Sequence, residues 1–274
     1  MAPDWPYPAL CAHRGAGQLA PENTLAALRL GHAQGYRMAE FDVKLSADGV
    51  AFLLHDATLE RTTNGHGRAD ACTWRELAQL DAGGWHSPAY AGESVPTLAA
   101  VARFSMAYGM AVNIEVKPTP GRERETGAAI ALDAAALWAA APVKPLLSSF
   151  SAVALEAARD AVPDLPRAFL VDRVDASTVS RALAIDCIAL DVKHTLLDAD
   201  LVQRARGESS RPCMDGQRDR ARRCVARDRR RHRDHRRRRR HRSMTPGPEE
   251  NCRSTLRQLL GDKAVPRERN VADD

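Results

Sequence analysis

The sequence predicts an α/β protein built on a parallel sheet covered by helices. Strand-like and helix-like patterns alternate six times along residues 1–206. The strand runs are continuously apolar, as strands buried on both faces must be. Charged residues gather at the carboxyl ends of those runs, the face on which such sheets carry their sites. A chain of 274 residues accommodates one α/β barrel or two smaller domains, and length does not choose between them.

Residues 9–13 read as the first strand, ending on His13-Arg14-Gly15-Ala16-Gly17. Pro21-Glu22-Asn23-Thr24 then opens a helix with Asn23 as its N-cap, and Leu25, Leu28 and His32 recur at helical spacing before Gly35 closes it. The stretch MAEFDVKLSADGVAFLLHD, residues 38–56, is the next strand and a return strand. It sets Glu40 and Asp42 two apart, so both leave one face. The turn at Ala47-Asp48-Gly49 sends a second apolar run, 50–54, back towards His55 and Asp56. Residues 57–96 are Gly-rich and Trp-containing, and read as an inserted lobe. Regular alternation resumes with a helix over 97–108 and a strand over 110–117, where Glu115 and Lys117 share a face. Helices over 125–140, 152–161, 176–184 and 198–206 then alternate with strands over 145–149, 167–172 and 187–192.

The net charge of +5 hides a segregation of sign. Residues 1–206 hold 19 Lys and Arg against 24 Asp and Glu, whereas residues 207–243 hold 16 Arg against 5 acids. An acidic body carries a basic appendage. The six cysteines (Cys11, Cys72, Cys187, Cys213, Cys224, Cys252) form no CxxC pair, which fits neither a zinc knuckle nor a disulfide framework. Reduced thiols, no basic leader segment and no apolar run of about 18 residues lead to the expectation of a cytoplasmic protein without a membrane span.

His13 and Arg14, Glu40 and Asp42, and Glu115 and Lys117 stand at or near the ends of three consecutive strands, with His55 within reach. Any one of them alone reads as a solvated charge. Together they offer three carboxylates for a hard cation such as Mg²⁺ or Ca²⁺, two imidazoles for acid and base work, and two cations for an anion. That combination fits a phosphate ester better than a peptide or a sugar.

The motifs AHRG (12–15), PENT (21–24), EFDVKLSADG (40–49), LLHD (53–56), ERTTNG (60–65), IEVKP (114–118) and LLSSF (146–150) resemble, in order, those of the bacterial cytoplasmic glycerophosphodiester phosphodiesterase family. The resemblance covers residues 5–206. It implies a (β/α)₈ TIM barrel with an insertion after the second strand, here 57–96. It implies metal-dependent hydrolysis of a small-molecule glycerophosphodiester to sn-glycerol 3-phosphate and an alcohol. On this resemblance Glu40, Asp42 and Glu115 are metal ligands, His13 and His55 the acid/base pair, and Arg14 and Lys117 the phosphate-binding cations.

The family's last two strands do not follow. In their place come residues 207–274, with an Arg/His/Asp run at 227–242 and no Phe, Trp or Tyr anywhere after Phe169. The barrel is therefore expected to be incomplete, with the basic tail supplying no buried strand. A chain so truncated is expected to be weakly stable or inactive. Blocks of like charge often bind nucleic acid, which makes Arg229 to Arg242 a candidate arm and nucleic-acid binding the alternative function. We read the tail instead as the product of a shifted reading frame, and do not expect nucleic acid as a partner. With CGN arginine codons, triplets starting one base later permit Val-Asp-Ala-Ile-Ala-Thr-Thr-Asp-Ala-Val-Asp-Ala-Ile over residues 230–242, close to the missing last strand and its helix. The coding DNA is expected to show CGN codons through this run; AGA or AGG codons there exclude the shifted frame.

Overall fold

The computed structural model describes residues 5–196, 198–209 and 225–226. Its centre is a seven-stranded sheet. β1 (Met38–Leu45), β3 (Ala111–Val116), β4 (Leu146–Ser149), β5 (Arg167–Val171), β6 (Ala189–Val192) and β7 (Val225–Ala226) pair in parallel in that order. β2 (Ala51–Leu53) runs antiparallel along the end of β1. α1 (Leu25–Ala33) precedes β1, and between the later strands lie α2 (Trp74–Leu77), α3 (Leu98–Ala107), α4 (Glu123–Leu137), α5 (Ala152–Ala161), α6 (Thr178–Ala184) and α7 (Ala199–Ser209). Among the described residues the sheet does not close, as in an incomplete barrel. Among the described residues, β7 pairs only with β6.

All eight residues of β1 are buried, for two different reasons. Ala39, Phe41, Val43 and Leu45 pack outward with Leu28, Leu98, Val101 and Ile130 in the main core. The intervening Met38, Glu40, Asp42 and Lys44 face inward. One end of that interior is filled by Tyr7, Cys11, Met38, Leu146, Ala168 and Ala189. Tyr7 secures the plug by donating its hydroxyl to the Lys144 carbonyl at 2.9 Å. A second core around Phe169, Val179, Leu190 and Leu201 joins β5, β6, α6 and α7. Residues 57–96 pack their own core, with Leu59, Leu77, Ala82 and Val95 against Phe52 and Leu54.

Three expectations change. The strand at 9–13 is a single bridge, Ala12 with Ala39, held by Ala12 N–H to Met38 O and Glu40 N–H to Ala12 O. The chain leaves the sheet there because a 3₁₀ turn, His13–Gly15, begins at once. The N-cap of α1 is Thr24, whose hydroxyl accepts from Ala27 N–H, and not Asn23. Asn23 adopts φ 58° and gives its amide to Asp42 instead. The tail does supply two strand residues: Val225 and Ala226 pair with β6 within Cys224-Val225-Ala226, a short apolar run in a basic segment. The Arg-rich run 229–242 lies outside the described residues.

The turn that carries His13 and Arg14 is held against α1 by two glycines. Gly15 has φ +94°, and a Cβ on it would come 2.8 Å from the Ala27 side chain; a Cβ on Gly31 would strike the Gly15 carbonyl. Overpacking of this kind costs roughly 1–3 kcal/mol. Gly31→Ala should lower unfolding stability by about that amount in denaturant titration, whereas Leu132→Ala, at an exposed site on α4, should change it by roughly 0.5 kcal/mol or less.

Candidate active site

The inward face of β1 and the end of β3 bring Glu40, Asp42 and Glu115 together. All three are buried, and one oxygen from each lies within 4.8 Å of the others. The geometry follows from register: Asp42 stands opposite Glu115 across the parallel pair, and Glu40 is two residues back on the same face.

Asp42, 1 % exposed, has the most partners. Asn23 Nδ2 donates to its Oδ2 at 2.9 Å, and its own backbone N–H donates to Asn23 Oδ1 at 3.0 Å. Arg14 Nε stands 3.4 Å from Oδ2 and Lys117 Nζ 3.3 Å from Oδ1. Burial works to raise this carboxyl's pKa, but Lys117, Arg14, His55 and the Asn23 bond outweigh it and hold the group below its usual range. Glu40 and Glu115 go the other way. Burial first, then repulsion from Asp42, lifts both above the ordinary carboxylate range. Lys117 also contacts Glu115, and its ammonium sits 5.5 Å from the centre of the Phe150 ring.

These residues fit a divalent cation. The donors are hard oxygens at suitable mutual distances, and Glu40 Oε1 is buried with no hydrogen-bond partner among the described residues. Glu40 Oε2 is engaged, accepting Arg14 N–H at 3.0 Å, with His13 Nε2 at 3.9 Å. Arg14 presents its N–H this way because its backbone is left-handed, φ 49° and ψ 30°. For a non-glycine residue that conformation is uncommon and costs free energy, and such residues cluster at functional sites.

His55 follows β2 and is oriented by its neighbour. Its Nδ1 lies 2.6 Å from Asp56 Oδ1. Against the effect of burial, bonds from Arg61 and His55 hold the Asp56 carboxyl down at about 2, so Nδ1 is the donor and Nε2 the nitrogen available for proton transfer. Burial pushes the imidazole's pKa down, opposed in part by Asp42 and Asp56. Arg61 bridges onward, contacting Asp56 and donating to both oxygens of Glu22 at 2.8 Å, while Glu22 accepts from Arg14 Nη1 at 2.7 Å.

All seven residues singled out in the sequence therefore lie in one region. Glu22, Asn23, Lys44, Asp56 and Arg61 were not assigned there. Four of them lie in or beside the PENT, LLHD and ERTTNG motifs, and Lys44 continues the inward-facing series of Glu40 and Asp42. His13, Glu40 and Glu115 open into a cleft whose far wall includes Leu170, Asp172, Asp191 and Lys193.

The chain resembles several known proteins over most of its described length. The Bacillus subtilis (strain 168) protein YhdW is 33% identical over 195 residues, 69% of this chain and 77% of its own. The glycerophosphodiester phosphodiesterase of Caldanaerobacter subterraneus subsp. tengcongensis is 42% identical over 106 residues, 39% of this chain and 44% of its own. A structure of an Oleispira antarctica phosphodiesterase in complex with the product sn-glycerol-3-phosphate superposes with TM-score 0.67 and 36% identity, covering 72% of this chain and 79% of that one. The family model for the Glycerophosphoryl diester phosphodiesterase family matches residues 13–226, a span that takes in every residue of the site and the short strand at Val225. The chain belongs to the glycerophosphoryl diester phosphodiesterase family.

Proposed function

We propose that this protein hydrolyses glycerophosphodiesters to sn-glycerol 3-phosphate and an alcohol. The observation that carries the proposal is the convergence of two imidazoles and two cations around three buried carboxylates, with His13, Glu40 and Glu115 lining a cleft. Glu40, Asp42 and Glu115 would hold Mg²⁺ or Ca²⁺. When bound, such an ion neutralises charge on the phosphoryl oxygens and raises the electrophilicity of phosphorus. Arg14 and Lys117 bind the remaining phosphate charge. His55, kept neutral by burial and oriented by Asp56, removes the proton from the attacking oxygen, and His13 protonates the departing alkoxide.

The catalytic unit of this proposal is residues 1–206, with the lobe at 57–96 as its insertion and the basic tail as the product of a shifted frame. No helix among the described residues is long and apolar enough to cross a membrane. Cys11, Cys72 and Cys187 are free thiols, which supports a cytoplasmic location.

His13→Ala and His55→Ala should each cut release of sn-glycerol 3-phosphate from glycerophosphocholine by roughly 100- to 10,000-fold while leaving metal binding in place. Near-normal turnover in either variant removes that histidine from its role. Stripping divalent ions with a chelator should abolish turnover, and adding back Mg²⁺ or Ca²⁺ should restore it; activity undiminished by the chelator excludes the carboxylate cluster as an essential metal site.

A further inference from the structure

One step further along the same strands, the carboxylates give way to a layer of opposite sign. Asp42 and Glu115 pair in register on β1 and β3. Two residues on, the same inward face carries Lys44 and Lys117. The Lys117 N–H donates to Val43 O at 2.9 Å, which extends the parallel pairing by one residue and sets Lys117 beside Lys44. Neighbouring strands lie about 4.8 Å apart, so two like charges share one face at close quarters. Such a juxtaposition is destabilising unless an opposite charge joins it.

The two lysines differ in what holds them. Lys117 is tied to Asp42 and Glu115. Lys44 is buried, at 7 % exposure, and its ammonium makes no hydrogen bond or ion pair among the described residues. Of the charges around Lys44, Lys117 acts on it most strongly, and the acids within range are Asp42, Asp70 and Asp56. Each of those acids already has a cation of its own. Asp42 has Arg14 and Lys117, Asp70 has Arg68 at 2.7 Å, and Asp56 has Arg61. The inserted lobe covers this position, because Lys44 pairs across to Phe52, which belongs to the lobe's core. A desolvated cation without a counterion, beside a second cation, calls for an anion from outside the chain.

We propose that Lys44 is a charge-selecting residue of the phosphate site: beside Lys117, it takes the additional negative charge that a phosphate monoester carries over a diester. A diester bears about one negative charge, whereas the monoester released by its hydrolysis bears nearly two at neutral pH. Arg14 and Lys117 are partly neutralised by Glu22, Asp42 and Glu115, and Lys44 is not. The consequence is retention of the product. The protein binds phosphate monoesters and inorganic phosphate more tightly than its diester substrate and is inhibited by them. The assignment rests on the phosphodiesterase reading and adds product inhibition to it.

The test uses the full chain with Mg²⁺ or Ca²⁺ present and compares wild type with Lys44→Met, which keeps the stem and removes the charge, and Lys44→Arg, which keeps the charge. In calorimetric titration with sn-glycerol 3-phosphate and with inorganic phosphate, affinity should fall about tenfold or more in Lys44→Met and stay within about threefold of wild type in Lys44→Arg. In turnover of glycerophosphoglycerol, the inhibition constant of sn-glycerol 3-phosphate should rise at least about threefold more than KM in Lys44→Met, a split that loss of packing alone does not produce. Should Lys44→Met lack a cooperative thermal transition, Lys44→Gln carries the same expectations. Unchanged affinity for both phosphates in a folded, uncharged variant overturns the role of Lys44, as does an equal rise in the inhibition constant and KM. A wild-type chain that binds neither phosphate and releases no sn-glycerol 3-phosphate overturns the phosphodiesterase reading instead, so the two failures are distinguishable.

Discussion

The buried carboxylate of Asp42 is the constraint on which the rest of the site depends. An ionised group that is 1 % exposed is stable only if its partners replace the water it has lost. Those partners come from three separate parts of the chain: Arg14 after the Ala12 bridge, Asn23 before α1, and Lys117 at the end of β3. Satisfying one charge therefore fixes the relative positions of a loop, a helix start and two strands. It also accounts for two left-handed residues, Arg14 and Asn23, whose unfavourable backbones let them reach this carboxylate and its neighbour Glu40.

A second network links the inserted lobe to His55. Glu22 binds Arg14 and Arg61, Arg61 binds Asp56, and Asp56 orients the imidazole through Nδ1. Arg61 and the Asp56 side chain are partly exposed, so the energy of these pairs is modest. Their importance is geometric. They connect the histidine after β2 to Arg14 beside the acid cluster, coupling the packing of residues 57–96 to the alignment of the reacting groups.

Stability and chemistry are unevenly placed across the sheet. The seven residues of the acid, imidazole and cation cluster lie on or beside β1, β2 and β3, against the larger core. The other half has its own smaller core and ends in a two-residue strand. The cleft nevertheless needs that half, because Asp172, Asp191 and Lys193 form its far wall.

Much of this was determined by the sequence itself, because strand geometry is local. Two-residue spacing alone puts Glu40 beside Asp42 and Glu115 beside Lys117, and the Ala47-Asp48-Gly49 turn alone returns the chain towards His55. Contacts distant in sequence were decided only by the tertiary structure. Asn23 satisfies every local preference for a cap, yet Asp42, nineteen residues away, takes its side chain and leaves the cap to Thr24. Residues 9–13 look like a strand, yet the backbone N–H of Arg14 is claimed by Glu40 and the pairing stops at Ala12. Arg61 and Glu22 lie thirty-nine residues apart, and nothing in their spacing announces their ion pair. The physical reason is common to all three. Periodicity sets which face a side chain leaves, whereas the partner of a buried charge depends on what the folded chain brings within about 3 Å of it.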